Sequence, residues 1–450
     1  MRKALLLSLV TALVASACGD GGPAGDGSTP AAPTTTEAAS PSSTTASPTV
    51  EAVLASGLAR SAASSSTDDV AVVAAGDAGF GAEVLAALAA QGEGNAAVSP
   101  LSLRLALAMA YAGARGETAS QMAEVLRYGL PDEALHAAFN SLDQALEARN
   151  QTLSGDGGRE QRIEIAVSNA LWGQAGLEVE AAFLDTLAAA YGAGMRVVDF
   201  AAAAEAARAT INAWVAGETN DRIPELIPQG ALTPETLLVL TNTVYLDADW
   251  ALPFPSEATA DGPFTRRDGS QVTVPLMHLQ LPAGYAAGEG WQAVDLAYVG
   301  GEVAMLFVVP DPGRFDEVAG ASGTLFGEAL GALADAEIQL ALPRFEFRTQ
   351  ASLPDTLRAL GMTDAFDAGR ADFSGITAGT LFISDVIHEV FVSVNEAGTE
   401  AAAATAVIMA RGAAPRDQVE LTVDRPFLFW LYDRATGAVL FMGRVLDPAA

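Results

Sequence analysis

Glu396 to Pro415 reads EAGTEAAAATAVIMARGAAP, and it is the least ordinary stretch of the chain. A β-type pattern ends at Val394, a run of very small residues follows, and an apolar strand pattern resumes near Val419. Alanine has the best helix propensity, so an Ala-rich helix is one reading and a passive linker is another. A third reading accounts for more of the residues. A segment that lies exposed in one state and becomes a central strand in another must pack alternate side chains beneath existing strands, and only small ones enter without clash. On a strand starting at Thr399, one face is Thr399, Ala401, Ala403, Thr405 and Val407, all small or β-branched. The other face begins with Glu400, which can stay solvated, and Gly398 supplies the backbone freedom of a hinge.

Working outward, no internal repeat and no second Pro/Gly/Ser linker follows Asp68, so one large domain is expected over residues 68–450. Apolar residues recur at helical spacing over Val70–Gln91 and Ser102–Gly113, with Ser99-Pro100 as a helix start where proline's missing N–H costs little. Thr118 with Gln121 reads as a capping box. Further helical patterns cover Glu180–Tyr191, Ala203–Thr219 and Leu353–Leu360. β-Branched and aromatic residues predict strands over Ile163–Trp172, Leu237–Tyr245, Val303–Val309, Ile338–Phe347 and Leu381–Val394. Long strands interrupted irregularly by helices argue for an α+β fold with large mixed sheets over a regular βαβ series.

Composition removes many functions. The chain has 450 residues and is 50% hydrophobic, which is ample material for a large core. Its 24 Lys+Arg against 55 Asp+Glu leave a net charge of −31, which repels nucleic-acid phosphates, anionic lipid headgroups and sulfated polysaccharides. Lys3 is the only lysine and Cys18 the only cysteine, so lysine Schiff-base chemistry, an intrachain disulfide and a thiolate metal cluster are excluded from the body of the chain. His136, His278 and His388 lie far apart, with no HExxH, GxSxG or GxGxxG pattern. No cofactor and no metal site is expected, although carboxylate chemistry stays open.

The N-terminus reads as an address. Met1-Arg2-Lys3 and the apolar run Ala4–Ala15 form a secretory signal over residues 1–17, too short to span a bilayer stably. Ala15-Ser16-Ala17 directly before Cys18 resembles the lipobox of bacterial lipoproteins, which implies a lipidated Cys18 and an export-side, membrane-anchored location; an ordinary signal peptide is the alternative. From Gly19 to Val50, 28 of 32 residues are Gly, Pro, Ser, Thr or Ala, a composition that buries too little apolar surface to offset its ordering entropy. Residues 18–67 are therefore expected to be a disordered tether.

Six blocks in order and at family spacing resemble the serpins, the serine protease inhibitors. They are Asn95–Leu126, Asn212–Pro228, Leu238–Phe254, Asp372–Ile376, Val394–Thr405 and Asp424–Pro448, and the resemblance covers essentially everything after Asp68. It implies three β-sheets, eight or nine helices and an exposed reactive loop near the C-terminus. It further implies a suicide substrate with no catalysis of its own. A target protease attacks the loop, forms an acyl-enzyme and is carried across the molecule as the loop inserts into the central sheet.

The resemblance makes Glu396, Gly398, Thr399, Glu400, Ala401, Ala402, Ala403, Ala404 and Thr405 the hinge, whose small residues go with inhibition in the family. Ala397 departs from the charged residue common there. The commonest spacing from Gly398 puts the scissile bond after Gly412 and a loop one residue shorter puts it after Arg411, whereas counting back from Pro426-Phe427 moves it toward Pro415. Arg411-Gly412 is favoured, implying a trypsin-like target, with Met409 or Ala410 for an elastase- or subtilisin-like one. Ser99, Ser102, Asn242 and His388 fall where serpins place the polar cluster under the opening sheet, and Trp250 where the loop first enters. A basic fourth helix is missing from Asp132–Arg149, so heparin activation is not expected, and a monomer is. The competing reading is a non-inhibitory serpin acting as a surface binding, carrier or chaperone-like protein.

Overall fold

The computed structural model describes residues 52–92, 94–154, 160–399 and 418–450. In chain order the elements are β1 (Ala52–Leu54), α1 (Thr67–Gln91), β2 (Ala96–Val98), α2 (Pro100–Tyr111), α3 (Gly116–Val125), α4 (Asp132–Glu147), β3 (Gln151–Ser154), β4 (Glu160–Gln174) and α5 (Ala181–Tyr191). Next come β5 (Met195–Val198), α6 (Phe200–Glu218), β6 (Leu238–Asp249), β7 (Ala260–Thr265), β8 (Gln271–Gly288), β9 (Trp291–Ala297), β10 (Val303–Pro310), α7 (Phe315–Gly320) and α8 (Ser322–Ala332). The last are β11 (Ala334–Pro343), β12 (Phe345–Ser352), α9 (Pro354–Leu360), β13 (Asp385–Val394), β14 (Gly398–Thr399), β15 (Gln418–Thr422), β16 (Phe427–Asp433) and β17 (Val439–Val445).

The strands form an eight-stranded sheet, β1-β5-β4-β6-β14-β13-β12 with β3 beside β4, and a nine-stranded one, β15-β11-β8-β9-β10-β16-β17-β2 with β7 on β8. The resemblance implies three sheets and the described residues form two, the larger one held together through β8. Its first part pairs with β7, its middle with β11 and its end with β9, so hydrogen bonding runs through it without a break. All twelve residues of β6 are buried, as befits the centre of a sheet covered on both faces. Beneath it lies α2, also buried at every residue, which packs on β4, β6 and β17. Its one charge, Arg104, is neutralised by the equally buried Asp77. Burial pushes the Asp77 carboxyl up to about 6, against the pull of Arg104.

Three local expectations differ from what is found. The strand expected over residues 338–347 is two strands in different sheets, β11 and β12, and the chain changes sheet at Arg344, whose N–H still donates to the Pro275 carbonyl in the register of the β8–β11 ladder before Phe345 opens the ladder to β13. Thr118 and Gln121 do not form a capping box. Arg115 occupies the N-cap, Thr118 Oγ1 accepts from Asp372 N–H, and Gln121 Oε1 accepts from Thr363 and Asp364 N–H, so tertiary contacts claim both side chains.

The third difference is the end of the tether. Residues 52–66 run along the domain: β1 pairs antiparallel with β5, and Ser66 caps α1 by accepting from Asp69 N–H. Asn140 and Gln144 hold the Ser61 carbonyl, while Ser141 Oγ accepts from Ser64 and Ser65 N–H. Arg60 is the anchor, with its guanidinium donating to Asn140 Oδ1 at 2.8 Å, Asp143 Oδ2 at 2.5 Å and Glu147 Oε1 at 2.7 Å, all on α4. The composition of residues 18–67 looks uniform, but one arginine and a few serines suffice to fasten its last part.

Arg60→Ala should lower the unfolding free energy by about 1–3 kcal/mol, since a partly buried charged donor with three acceptors is lost. Urea unfolding at neutral pH measures this, and an unchanged midpoint would show that the strap carries no stability.

Candidate functional site

The centre of the eight-stranded sheet is joined in two different ways. Along its lower half β6 and β13 pair directly and in parallel, from Asp385 opposite Val239 to Val390 opposite Val244. Above that the two strands part and β14 lies between them, with Gly398 opposite Asp249, and Thr399 opposite both Ala248 and Val394. The sheet is thus open at the top, with Gly398 and Thr399 the described residues that occupy the opening.

In the closed half, Asn169 of β4, Asn242 of β6 and His388 of β13 stand in one row. His388 and Asn242 are wholly buried, as are Ser99 and Ser102 below them. The Ser99 backbone N–H donates to His388 Nε2 at 3.1 Å, so Nε2 is the bare nitrogen and the proton sits on Nδ1, which donates to Asn242 Oδ1 at 2.6 Å. Asn242 Nδ2 then donates to Ser102 Oγ and Asn169 Oδ1, and Ser102 Oγ to Asn169 Oδ1 at 3.1 Å. Burial lowers the His388 pKa to about 3, so the imidazole is neutral at any ordinary pH. A neutral, fully engaged ring offers neither a base nor a ligand. Among the described residues no group of three His, Cys, Asp or Glu side chains is placed to hold a metal.

The upper opening is built around Trp250. Its backbone N–H donates to the Ala397 carbonyl at 2.8 Å, its indole Nε1 to the Asn395 carbonyl at 3.0 Å, and its ring stacks on Tyr298 at 4.3 Å. Tyr298, whose phenol burial pushes far above its usual range, shares a 2.7 Å hydrogen bond with Thr399 Oγ1. Glu396 is tied by Arg344 Nε at 2.7 Å and Thr259 Oγ1 at 2.5 Å. Burial works against its charged form, but these donors hold its carboxyl below the usual range. Gly398 passes so close to β6 that a Cβ there would stand 1.9 Å from the Ala248 carbonyl oxygen. The glycine is needed for approach as well as for freedom.

Ser99, Ser102, Asn242 and His388 therefore meet in one cluster, while Trp250, Glu396, Gly398 and Thr399 meet in another above it. Ser99 takes part through its backbone: its hydroxyl is buried and has no partner among the described residues. Asn169 went unnoticed in the sequence, although Ile163, Ile165, Val167 and Leu171 share its strand parity and leave it as the one polar residue of that face between Ile163 and Leu171. Thr259, Tyr298 and Arg344 carry no local signal, since only tertiary structure brings them to the hinge. Glu400, Ala401 to Thr405, Met409, Ala410, Arg411 and Gly412 lie outside the described residues, as does Cys18.

A family model described as "Serpin (serine protease inhibitor)" matches residues 75–448. The chain belongs to the serpin family. An uncharacterized serpin-like protein of Thermococcus kodakarensis is 38% identical over 360 residues, covering 79% of this serpin and 81% of that protein. The leukocyte elastase inhibitor of Xenopus tropicalis is 35% identical over 365 residues, covering 79% and 93%. Among solved structures, the thermophilic serpin tengpin in its native state aligns with a TM-score of 0.75 at 26% identity, over 88% of this chain and 97% of that one. Uncleaved ovalbumin aligns at 0.72 and 25% identity, over 84% and 100%.

The buried imidazole gives this serpin a measurable pH signature. Unfolded, His388 titrates near 6.5; folded, it stays neutral down to about 3. As pH falls through that window only the unfolded chain takes up the proton, so the stability present above pH 6.5 is lost, by about 2 kcal/mol between pH 6.5 and 5. His136, lowered to about 4 by burial, adds a loss of the same sign. His388→Gln should flatten the fall of urea-unfolding free energy from pH 7 to 5 by roughly that 2 kcal/mol, whatever its effect on absolute stability. Parallel slopes in the two proteins would contradict a buried neutral ring.

Proposed function

We propose that this serpin is a suicide-substrate inhibitor of serine proteases, which traps the acyl-enzyme by inserting its cleaved loop between β6 and β13. The observation that carries the reading is the register of β14. From Thr399 opposite Ala248, continued pairing along β6 sets Ala401 against Leu246, Ala403 against Val244 and Thr405 against Asn242. Residues directly opposite on antiparallel strands share a face, and Asn242 faces the buried serines of α2, so the small residues are those that enter the core. Bulkier side chains there would have to displace a packed interior.

Several features support the finer assignments. The parting of β6 and β13 just above Val244 and Val390 makes the His388–Asn242 bond the next to break, which suits a gating role for the polar cluster. Arg411-Gly412 as the scissile bond suits a trypsin-like target, while relatives named leukocyte elastase inhibitor keep Met409 and Ala410 as alternatives for an elastase- or subtilisin-like one. Within Asp132–Glu147 the charges are Asp132, Glu133, Asp143 and Glu147 with no lysine or arginine, which argues against heparin activation. Export and lipid anchoring through Cys18 rest on the N-terminal sequence pattern. Neither catalysis by the serpin nor a cofactor enters this mechanism.

Incubation with trypsin, pancreatic elastase and subtilisin should give an adduct that survives a denaturing gel with at least one of them, and mass spectrometry of the released peptide should place the cut at Arg411-Gly412. Loop cleavage without an adduct, and without a rise in melting temperature, would favour the non-inhibitory carrier or chaperone-like reading. Thr399 is already buried between β6 and β13, so Ala403→Arg is the test of insertion: the continued register sets Ala403 against Val244, which is 1% exposed, where an uncompensated charge costs several kcal/mol. The variant should leave cleavage intact while most of the adduct disappears, and undiminished adduct would contradict insertion through this residue.

A further inference from the structure

Arg196 differs from the other arginines of the described residues in having neither a hydrogen-bond acceptor nor a carboxylate within salt-bridge reach among them. It lies on β5 opposite Trp172 of β4, with its guanidinium carbon 5.4 Å from the Trp172 ring centre and 4.7 Å from that of Trp214 on α6. The two indoles meet edge to face at 5.6 Å, so the guanidinium rests on a rigid aromatic support. The side chain is half-buried, and that burial depresses its pKa. A partly desolvated guanidinium with its planar fork of donors unused is a ready partner for a carboxylate.

The surroundings form a groove of about 590 Å³, a size that ordinarily holds a small organic molecule. One wall is the strap, where Val53 and Leu58 present apolar side chains at 50% and 55% exposure, an unusual arrangement for residues this large. The floor is an open length of β4. On that side β4 pairs with β3 only as far as Ile163 and with β5 only from Leu171, and Val167 and Asn169 in between line the groove. Glu218, one helical turn beyond Trp214, lines it too and is within Coulombic reach of Arg196 without bonding to it. Ser168 Oγ donates to Glu218 at 3.5 Å.

We propose that this groove binds a small organic monocarboxylate, its carboxylate paired with the Arg196 fork and its apolar body lying against Val53 and Leu58. Glu218 sets the valence. One negative charge on the ligand is met by Arg196, whereas phosphate or a dicarboxylate would meet Glu218 and a chain of net charge −31 with no second free cation among the described residues of the groove. Arg60, the other arginine of the lining, is held by Asp143 and Glu147.

Isothermal titration of the full chain with octanoate, phenylacetate and inorganic phosphate tests this. Octanoate or phenylacetate should bind saturably at one site and phosphate should neither bind nor compete. Arg196→Gln should weaken carboxylate binding about tenfold or more, and Glu218→Gln should strengthen it severalfold. Arg196 packs between two indoles, so Leu58→Asp serves as a second probe that leaves them untouched and should also weaken binding. Retained tryptophan fluorescence and melting temperature show that each variant is folded. No saturable heat with either carboxylate, equal affinity in Arg196→Gln, or phosphate binding as well as octanoate would each overturn the proposal.

Discussion

The contact on which the rest of the molecule depends is the direct pairing of β6 with β13 over Val239–Val244 and Asp385–Val390. It is a parallel pairing between strands distant in sequence, slightly weaker per residue than an antiparallel one. Immediately above it the same two strands are held apart by Gly398 and Thr399. A sheet that is complete at one end and wedged at the other has a built-in place to come apart. The residues at the wedge are bound from every side: Trp250 and Phe254 hold the backbone of Ala397 and Glu396, Arg344 and Thr259 the carboxylate, and Tyr298 the hydroxyl of Thr399. Gly398 and Thr399 are therefore firmly held in the opening.

Much of this was legible in the sequence because it follows from residue size and polarity. Buried Asn242 amid Leu238–Tyr245 announces a partner, which His388, Ser102 and Asn169 supply, while the insertion expected of the run after Gly398 concerns residues outside the described ones. What could not be read arises where tertiary contacts overrule local patterns. Thr118 and Gln121 have the spacing of a capping box, yet each bonds to the distant segment 363–372 instead. The continuous β pattern through residues 338–347 hides a change of sheet, since Pro343 and Arg344 alter which ladder is joined without altering hydropathy. Residues 52–66 look like more of the preceding tether, and only the position of Arg60 relative to three acceptors on α4 distinguishes them.

The strap also bears on how the eight-stranded sheet is bounded. With β1 added, β5 is no longer an edge strand, and unpaired edge groups that would invite another chain are covered there. The cover is incomplete, because on the side away from β6 no strand among the described residues lies beside β4 between Ile163 and Leu171, and the Asn150 side chain, which exchanges two hydrogen bonds with Ile165, closes part of the gap. The groove at Arg196 is a consequence of that gap. A strap fastened at β5 and α4 leaves it as a hollow with an aromatic-supported cation on one side and two apolar side chains on the other.

The polar cluster beneath β6 is well bonded but not complete, and its deficits bear on insertion. Ser99 Oγ and Asn169 Nδ2 are buried without partners among the described residues, and each such group costs about 1–3 kcal/mol relative to a satisfied one. On the register set by Thr399, a strand driven between β6 and β13 brings the Thr405 hydroxyl opposite Asn242, in the same row as Asn169 and His388. The proposed insertion would break the His388–Asn242 bond, but it would also deliver a hydroxyl able both to donate and to accept where that bond was. Alanine at 405 would open the cluster without repairing it. A β-branched hydroxyl residue, after the four alanines of Ala401–Ala404, is thus what the geometry asks for at the point where the α2-facing side of an entering strand would meet the buried polar cluster.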